Sequence, residues 1–328
     1  MFSDIFRSRI IETTIGIGTV VFVSVLTFQF LKKPRKISRI IDTMEALKKS
    51  NVHIKNRDHV EEVVSQFIKD GPSKLQVISD FDHTLTRIHL NGKQCTTTYG
   101  ILDQGPFCTD EFKEKSKSLF NHYHPIEVDP NLSRAEKVPY MLEWYTKSVL
   151  LMPTSGISKS SVPEMVETSN VCLRDGCDAV FELLHKKNVP LLIFSAGVGD
   201  MLKQVLQKKN LLLPNIKIIA NFLRFDEKDK LLGFKDELIH TFNKNKGSIK
   251  NSDYFETLKT RNNVILLGDS LGDLDMAAGV QNLNSILKIG FLNYKIEESL
   301  QEYMDNFDIV LTDDQTMDVA FVLLQSIL

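Results

Sequence analysis

The chain has 328 residues, of which 25% are charged and 42% are hydrophobic, so it is long enough to bury a substantial core and is neither fibrous nor disordered. Its formal net charge is −2, which excludes a strong overall attraction for nucleic acid. Its 4 cysteines, none of them in a C-x-x-C pair, are typical of reduced thiols in a cytosolic protein rather than of a disulfide framework.

The first predicted element is an apolar segment close to the N-terminus. Residues 13–31, TTIGIGTVVFVSVLTFQFL, carry no charge and have nearly the length that a helix needs to cross a hydrocarbon core. More lysines and arginines follow this segment than precede it, which predicts that the rest of the chain faces the cytosol. We therefore interpret residues 1–36 as an N-terminal membrane anchor with a basic flank. A cleaved signal peptide or a buried segment are the alternatives.

Alternating helical and strand patterns follow the basic flank. Helical periodicity predicts helices over residues 38–50 and 57–69. Short apolar runs rich in β-branched residues predict buried parallel strands at 75–81, 189–196, 216–222, 263–270, 286–292 and 308–312. Further helices are predicted at 176–188, 199–209, 273–280 and 316–328. The alternation predicts an α/β fold with a doubly wound, Rossmann-like parallel sheet, whose ligands bind at the carboxyl ends of the strands.

One interval interrupts this alternation. The first and second predicted strands are separated by about a hundred residues, far more than one crossover needs. The pattern there is mostly helical, with segments near 109–122, 134–151 and 161–174. We therefore predict that residues 90–178 form an inserted helical cap, and that residues 37–89 and 179–328 form the catalytic core.

Polar residues lie at the points of this core where an α/β site is expected. Asp80 and Asp82 lie at the end of the first predicted strand, and Asp269 lies at the end of the fourth. A phosphate monoester is dianionic, so a carboxylate can attack it only when a cation neutralises both partners, and carboxylate oxygens are the ligands that Mg²⁺ prefers. Taken singly, each aspartate is more often a helix cap or a turn residue. Their joint order favours a catalytic site.

The polar residues resemble the four ordered motifs of the haloacid dehalogenase superfamily of Mg²⁺-dependent phosphohydrolases. The matching residues are Asp80-x-Asp82-x-Thr84, Ser195, Lys244 and GDSLGD at 268–273. The resemblance implies that Asp80 is a nucleophile that forms an aspartyl-phosphate and that Asp82 is the general acid and base. It implies that Ser195 and Lys244 stabilise the phosphoryl group. It also implies that Mg²⁺ is held by Asp80, Asp82 and Asp269.

Residues from about 36 to 328 further resemble the cytosolic 5′-nucleotidase III family. The resemblance is carried by IEVDP (126–130), MLEWYTKS (141–148), FSAGVGD (194–200), GFKDELIHTFNKN (233–245) and ILLGDSLGDLDMA (265–277). It implies that Glu127 hydrogen-bonds the base edge, that Ser148 contacts the substrate and that Tyr99 stacks on the base. The substrate site that it implies is completed by Ser195, Ala196 and Lys244.

The resemblance implies a Mg²⁺-dependent 5′-nucleotidase acting on nucleoside 5′-monophosphates. Tyr99 is similar to the branch that accepts 7-methylguanosine monophosphate as well as CMP, whereas WYTKS (144–148) is closer to the pyrimidine branch that accepts CMP and UMP, so the base preference stays open. The alternative is a membrane-tethered phosphatase or phosphotransferase for another small phosphomonoester. We expect a monomer whose catalytic unit is cytoplasmic and is anchored through residues 13–31, by resemblance to the endoplasmic reticulum membrane.

Overall fold

The computed structural model describes residues 39–129, 131–244 and 254–328. The predicted anchor at 13–31 and its basic flank lie outside the described residues. Within the part that is described, no helix combines the length and the apolar character needed to cross a membrane. Residues 40–328 form one compact unit, so a separate cap domain over 90–178 stays a prediction.

The secondary structure of the described residues follows in chain order. The strands are β1 (Val52–His53), β2 (Leu75–Ser79), β3 (His89–Leu90), β4 (Lys93–Gln94), β5 (Leu191–Val198), β6 (Ile216–Asn221), β7 (Leu223–Phe225), β8 (Leu231–Phe234), β9 (Asn263–Gly268), β10 (Ser285–Leu292) and β11 (Ile309–Thr312). The α-helices are α1 (Arg57–Asp70), α2 (Thr98–Gln104), α3 (Asp110–Glu127), α4 (Arg134–Leu151), α5 (Val162–Thr168), α6 (Cys177–Lys186), α7 (Gly199–Lys208), α8 (Tyr254–Thr257), α9 (Ile296–Asn306) and α10 (Asp318–Ile327).

A seven-stranded sheet with the order β1-β11-β10-β9-β2-β5-β6 forms the centre of the unit. Its strands pair in parallel except for the edge strand β1, which runs antiparallel to β11. The predicted α/β fold is therefore confirmed. The chain runs outward from β2 through β5 to β6 and then returns to the other side of β2 at β9. Such a reversal of strand order leaves a crevice at the carboxyl ends of the two central strands.

Both faces of the sheet are buried. Val77 of β2 packs in a core formed with α1, α6, α7 and α10, whereas its neighbour Ile78 packs in a second core with Phe255 and residues of α9. Successive side chains of a strand point to opposite faces, so a strand covered on both sides is apolar at every position. This double burial explains why the central strands are continuous apolar runs in the sequence.

The six predicted strands are present, each with bounds within two residues of the prediction. The helix predicted over 38–50 is wrong in its described part, which forms two 3₁₀ turns at Ile40–Thr43 and Glu45–Lys48. Glu61 of α1 accepts hydrogen bonds at 3.0 Å from the amides of Ile40 and Ile41, so a tertiary partner satisfies these amides. The helix predicted over 273–280 is also 3₁₀, over Leu271–Gly279.

The helices α2 to α5 lie between β4 and α6, inside the range predicted for the cap. Three of them begin at a side-chain cap: Thr97, Thr109 and Ser133 each accept a hydrogen bond from the amide three residues later. Helices α3 and α4 pack against each other, with the rings of Tyr123 and Trp144 stacked at 5.9 Å between centroids. The predicted helix over 161–174 ends early, at Thr168.

Candidate active site

A cavity of about 1010 Å³ lies at the carboxyl ends of β2, β5 and β9. Its wall includes residues at the carboxyl ends of these strands and residues of α2, α3 and α4. The structure brings together every residue predicted for the site, since the cavity is lined by Asp80, Asp82, Tyr99, Glu127, Ser148, Ser195, Ala196, Lys244 and Asp269. The predicted position at the strand ends follows from the reversal of strand order between β2 and β9.

A buried lysine joins two of the carboxylates. Lys244 Nζ donates to Asp80 Oδ1 at 2.5 Å and to Asp273 Oδ1 at 2.7 Å. Burial opposes the charge on Lys244, but the two carboxylates outweigh it and raise the lysine pKa. Burial raises the pKa of Asp80 to about 7, although Lys244 opposes this rise. The single ammonium group of Lys244 cannot neutralise both carboxylates, so the site keeps a net negative charge.

Three carboxylates form a group that suits a metal ion. Asp80, Asp269 and Asp273 each offer one oxygen, and these oxygens lie within 4.8 Å of one another. Burial raises the pKa of Asp269 well above its ordinary value, and repulsion from Asp80 and Asp273 adds to the rise. Three carboxylates beside a single ammonium group carry excess negative charge and offer hard oxygen donors, which fits Mg²⁺. In the described residues the third member of the group is Asp273 and not Asp82, so metal ligation by Asp82 stays a prediction.

The Asp82 carboxylate is instead held by the first residue of α2. The Thr98 amide donates to Asp82 Oδ1 at 2.9 Å, and the Thr98 hydroxyl donates to Oδ2 at 2.5 Å. The Val198 amide donates to the same hydroxyl oxygen at 3.0 Å, which leaves the hydroxyl proton for Asp82. Burial raises the pKa of Asp82 to about 6, against the effect of the two Thr98 bonds. A carboxyl that titrates near neutrality suits a group that gives and then takes a proton.

The end of β5 brings a hydroxyl group into the cavity. Ser195 Oγ accepts a hydrogen bond from the Gly197 amide at 3.0 Å, so the serine proton remains free for an acceptor such as a phosphoryl oxygen. A Cβ atom at Gly197 would lie 2.2 Å from Thr98 Oγ1, so the close approach of α2 to β5 requires glycine there. The Ala196 carbonyl oxygen accepts from Asn221 Nδ2 at 2.7 Å, which fixes the backbone beside Ser195.

The loop after β2 is held by an arginine that the sequence analysis did not identify. Arg174 Nε donates to the Thr84 carbonyl oxygen at 2.7 Å, and its Nη2 donates to the His83 carbonyl oxygen at 2.5 Å. Asn293 Nδ2 donates to the same His83 oxygen at 3.0 Å. His83 has a φ of 61°, so the loop turns sharply where these donors hold it. Because Arg174 lies 90 residues from Thr84 in the chain, no local pattern predicts the contact.

Asp273, the last residue of the GDSLGD motif, has a definite structural role. Its Oδ2 accepts from the Asp269 amide at 3.1 Å and from the Ser270 amide at 2.9 Å, while its Oδ1 accepts from Lys244. One buried carboxylate therefore fixes both the backbone that carries Asp269 and the lysine that contacts Asp80. Its position four residues after Asp269 is the sequence signal that identifies it.

The part of the cavity built by helices α2, α3 and α4 contains a carboxylate and aromatic rings. Glu127, the last residue of α3, accepts a hydrogen bond from Thr241 Oγ1 at 2.6 Å. The rings of Tyr99 and Tyr145 meet edge to face with centroids 5.7 Å apart. Ser148 lies three residues after Tyr145 on α4 and lines the same cavity. A carboxylate acceptor beside aromatic rings can bind a flat heterocycle that carries N–H groups.

Comparisons with known proteins identify relatives of this chain. The sequence model of a family described as pyrimidine 5′-nucleotidase (UMPH-1) matches residues 83–328. The 7-methylguanosine phosphate-specific 5′-nucleotidase of Homo sapiens is 46% identical over 287 residues, which cover 88% of this chain and 96% of that protein. The crystal structure of cytosolic 5′-nucleotidase IIIB bound to cytidine superposes with a TM-score of 0.81 at 39% identity, covering 87% of this chain and 96% of the other.

A more distant structure agrees with the fold alone. A HAD family hydrolase of Salmonella enterica superposes with a TM-score of 0.50 at 12% identity. The match covers 78% of this chain and 73% of that one. At this level of identity the match supports the haloacid dehalogenase type of fold and carries no information on the substrate.

Proposed function

The chain belongs to the pyrimidine 5′-nucleotidase family and is a 5′-nucleotidase of the haloacid dehalogenase type, and on that premise we propose that it hydrolyses CMP, UMP and 7-methylguanosine monophosphate with Mg²⁺ through an aspartyl-phosphate. The observation that carries the proposal is the contact of Lys244 with Asp80 in a cavity that Glu127 also lines. A nucleophile, a cation and a base-binding carboxylate in one cavity are what a nucleotide phosphatase requires.

The proposed substrates follow from the relatives and from the chemistry of the cavity. One relative is named for 7-methylguanosine phosphate, and another binds cytidine in its crystal structure. The 7-methylguanine ring is cationic, so stacking on Tyr99 gains a cation–π interaction and Glu127 gains a charge-assisted hydrogen bond. Cytosine offers Glu127 its exocyclic amino group. We propose that the helices of residues 90–178 act as a cap that selects the base.

The proposed reaction has two steps on the same carboxylate. In the first step an Asp80 oxygen bonds to phosphorus, the bond from phosphorus to the nucleoside O5′ breaks, and Asp82 gives its proton to O5′. In the second step Asp82 takes a proton from a water whose oxygen attacks phosphorus, which releases phosphate and regenerates Asp80. Asp82 thereby returns to its protonated form, ready for the next substrate.

The charge of the phosphoryl group has to be balanced in both steps. Lys244 contributes one positive charge next to Asp80, and the Ser195 hydroxyl donates to a phosphoryl oxygen. Bound Mg²⁺ supplies the further positive charge that lets an anionic nucleophile approach an anionic phosphate. The carboxylates that fit this ion are Asp80, Asp269 and Asp273, and Asp82 is the further ligand implied by the sequence motif.

We propose a cytoplasmic location for the catalytic unit, supported by the name of the cytidine-bound relative, which is a cytosolic 5′-nucleotidase. Anchoring to the endoplasmic reticulum membrane through residues 13–31 stays a prediction. Fractionation of cells that express the full chain, and the same chain without residues 1–36, tests the anchor. The full chain is expected in the membrane fraction and the shortened chain in the soluble fraction.

Phosphate release by the full chain tests the proposed function. We expect hydrolysis of CMP, UMP and 7-methylguanosine monophosphate with Mg²⁺, and none after chelation with EDTA. Asp80→Asn is expected to abolish turnover because the amide cannot form the acyl phosphate, whereas Asp236→Asn, an exposed aspartate outside the cavity, retains it. An active Asp80→Asn variant contradicts the mechanism, and a wild-type chain that hydrolyses none of the three nucleotides contradicts the function.

A further inference from the structure

We infer that Thr241 is a positioning residue for base recognition, because its hydroxyl holds Glu127 so that one carboxylate oxygen is presented to the base. The inference rests on the proposed function, under which Glu127 binds the base edge. It adds a specificity residue that lies on the segment leading to Lys244 rather than on the cap helices.

The contact between the two side chains is direct. Thr241 Oγ1 donates to Glu127 Oε1 at 2.6 Å, and both residues line the cavity. A threonine hydroxyl has a single proton, so its donor capacity is used by this bond. In the described part of the chain no donor is bonded to Glu127 Oε2. The bond therefore separates the two carboxylate oxygens into one that is held and one that is available to a ligand.

Thr241 is well placed to hold a side chain of α3 because its own backbone is fixed by the core. Asn221 of β6 binds the main chain of Ile239 twice, as a donor to the carbonyl and as an acceptor from the amide, each at 2.8 Å. A Cβ atom at Gly272 would lie 2.1 Å from the Thr241 carbonyl oxygen, so the two backbones are in close contact. The hydroxyl is thus presented from a segment that is hydrogen-bonded at Ile239 and packed against Gly272.

The same region connects to α4. Arg134, the first residue of α4, donates to the Phe242 carbonyl oxygen at 2.5 Å. Three residues after Thr241 the chain reaches Lys244, which contacts Asp80. One short segment therefore contacts the end of α3, the beginning of α4 and the proposed nucleophile. This arrangement makes Thr241 the link between the proposed base-binding carboxylate and the catalytic core.

The held carboxylate has a predictable preference among bases. An ionised carboxylate only accepts hydrogen bonds, so Glu127 Oε2 suits bases that offer amino or ring N–H donors at their edge. Cytosine, guanine and 7-methylguanine offer an exocyclic amino group, whereas uracil offers only its ring N3–H, flanked by two carbonyl oxygens that repel a carboxylate. Loss of the Thr241 hydroxyl frees Glu127 to rotate and weakens binding of the amino-bearing bases more than binding of uracil.

Nucleoside binding tests the inference without relying on catalysis. Titration calorimetry with cytidine, 7-methylguanosine and uridine compares the wild-type chain with Thr241→Val, Thr241→Ser and the control Thr146→Val. Thr146 is a threonine on α4 and gives the same change of side chain. Its hydroxyl donates to the Leu142 carbonyl oxygen, and it does not line the cavity. We expect Thr241→Val to lose about tenfold in affinity for cytidine and 7-methylguanosine, as removal of a hydrogen bond to a charged group predicts. Thr241→Ser and Thr146→Val should bind like the wild type.

Phosphate release from ribose 5-phosphate, which has no base, separates base recognition from damage to the segment that carries Lys244. A smaller loss for ribose 5-phosphate than for CMP in Thr241→Val supports the inference. Equal losses for both substrates, or unchanged nucleoside affinities in Thr241→Val, overturn it. Absence of phosphate release from any nucleotide by the wild-type chain overturns the proposed function instead, and the nucleoside affinities then still decide the role of Thr241.

Discussion

Thr98 donates two hydrogen bonds to Asp82, although Thr98 begins helix α2 and Asp82 lies in the loop after the central strand β2. Both carboxylate oxygens of Asp82, the proposed general acid and base, therefore point toward Thr98, which lies in the range predicted for the cap. The position of α2 and the orientation of the Asp82 carboxyl group are consequently coupled. A change in either must break or stretch bonds of 2.9 Å and 2.5 Å.

The first prediction concerns this coupling. Thr98→Val removes the hydroxyl donor and leaves Asp82 Oδ2 next to a methyl group. We therefore expect kcat for CMP to fall about tenfold, which is less than the whole contribution of a general acid to the rate. The loss should be smaller for p-nitrophenyl phosphate, because its leaving group needs no proton. Thr98→Ser keeps the donor and should retain most of the activity. Equal losses for both substrates would show that Thr98 does not act through proton transfer.

The second prediction concerns the carboxylate group. Burial and repulsion raise the pKa of Asp269, so its charge destabilises the folded chain until a cation binds. Mg²⁺ is therefore expected to raise the unfolding temperature of the wild-type chain. In Asp269→Asn this increase should be lost, while the unfolding temperature without Mg²⁺ stays equal to that of the wild type or rises.

A matched control for the metal experiment is Asp275→Asn. Asp275 forms an ion pair with Arg134 at the surface and is not part of the carboxylate group. Thermal scans with and without Mg²⁺ should show the wild-type increase in this variant. An undiminished Mg²⁺ effect in Asp269→Asn would exclude Asp269 from the binding of the ion.

The third prediction concerns Arg174, whose guanidinium group holds the backbone of the loop after β2. Arg174→Lys keeps a positive charge but loses the planar set of donors that reaches Thr84, His83 and Asn293. We expect a loss of about 2–4 kcal/mol in the free energy of unfolding, because buried carbonyl groups are left without donors. Urea unfolding measures this loss. Arg224→Lys, at an exposed position of β7, should cost far less.

How much of this site was predictable from the sequence depends on where each residue lies. Asp80 and Asp269 were predictable because each directly follows an apolar run that is covered on both faces of the sheet. Strand order then brings the two together, since β2 and β9 are neighbours. Residue type and position at a strand end make each aspartate a candidate, and the joint order of the motifs along the chain then favours a catalytic site.

Other residues of the site could not be predicted in this way. Thr98 and Arg174 carry no local signal, because their partners are backbone and side-chain groups that only the fold brings near. In the helix predicted over 38–50, Glu61 holds the amides of Ile40 and Ile41, and the turns that follow close with three-residue bonds such as that from the Met44 amide to the Ile41 carbonyl oxygen. Local periodicity predicts elements well when their partners are neighbours in sequence, and poorly when a distant side chain supplies the partner.

The last prediction uses a half-buried carboxyl group outside the catalytic centre. Asp103 of α2 lines the cavity, and burial raises its pKa to about 7 while a hydrogen bond with Ser116 opposes the rise. Between about pH 4 and pH 7 the folded chain holds a proton on Asp103 that the unfolded chain has released, so this group lowers stability as the pH rises. Asp103→Asn has no such proton, so its advantage over the wild type in urea unfolding should be small at pH 4.5 and grow to about 1–2 kcal/mol at pH 8. Asp236→Asn is the exposed control, and an Asp103→Asn difference that does not vary with pH would contradict the prediction.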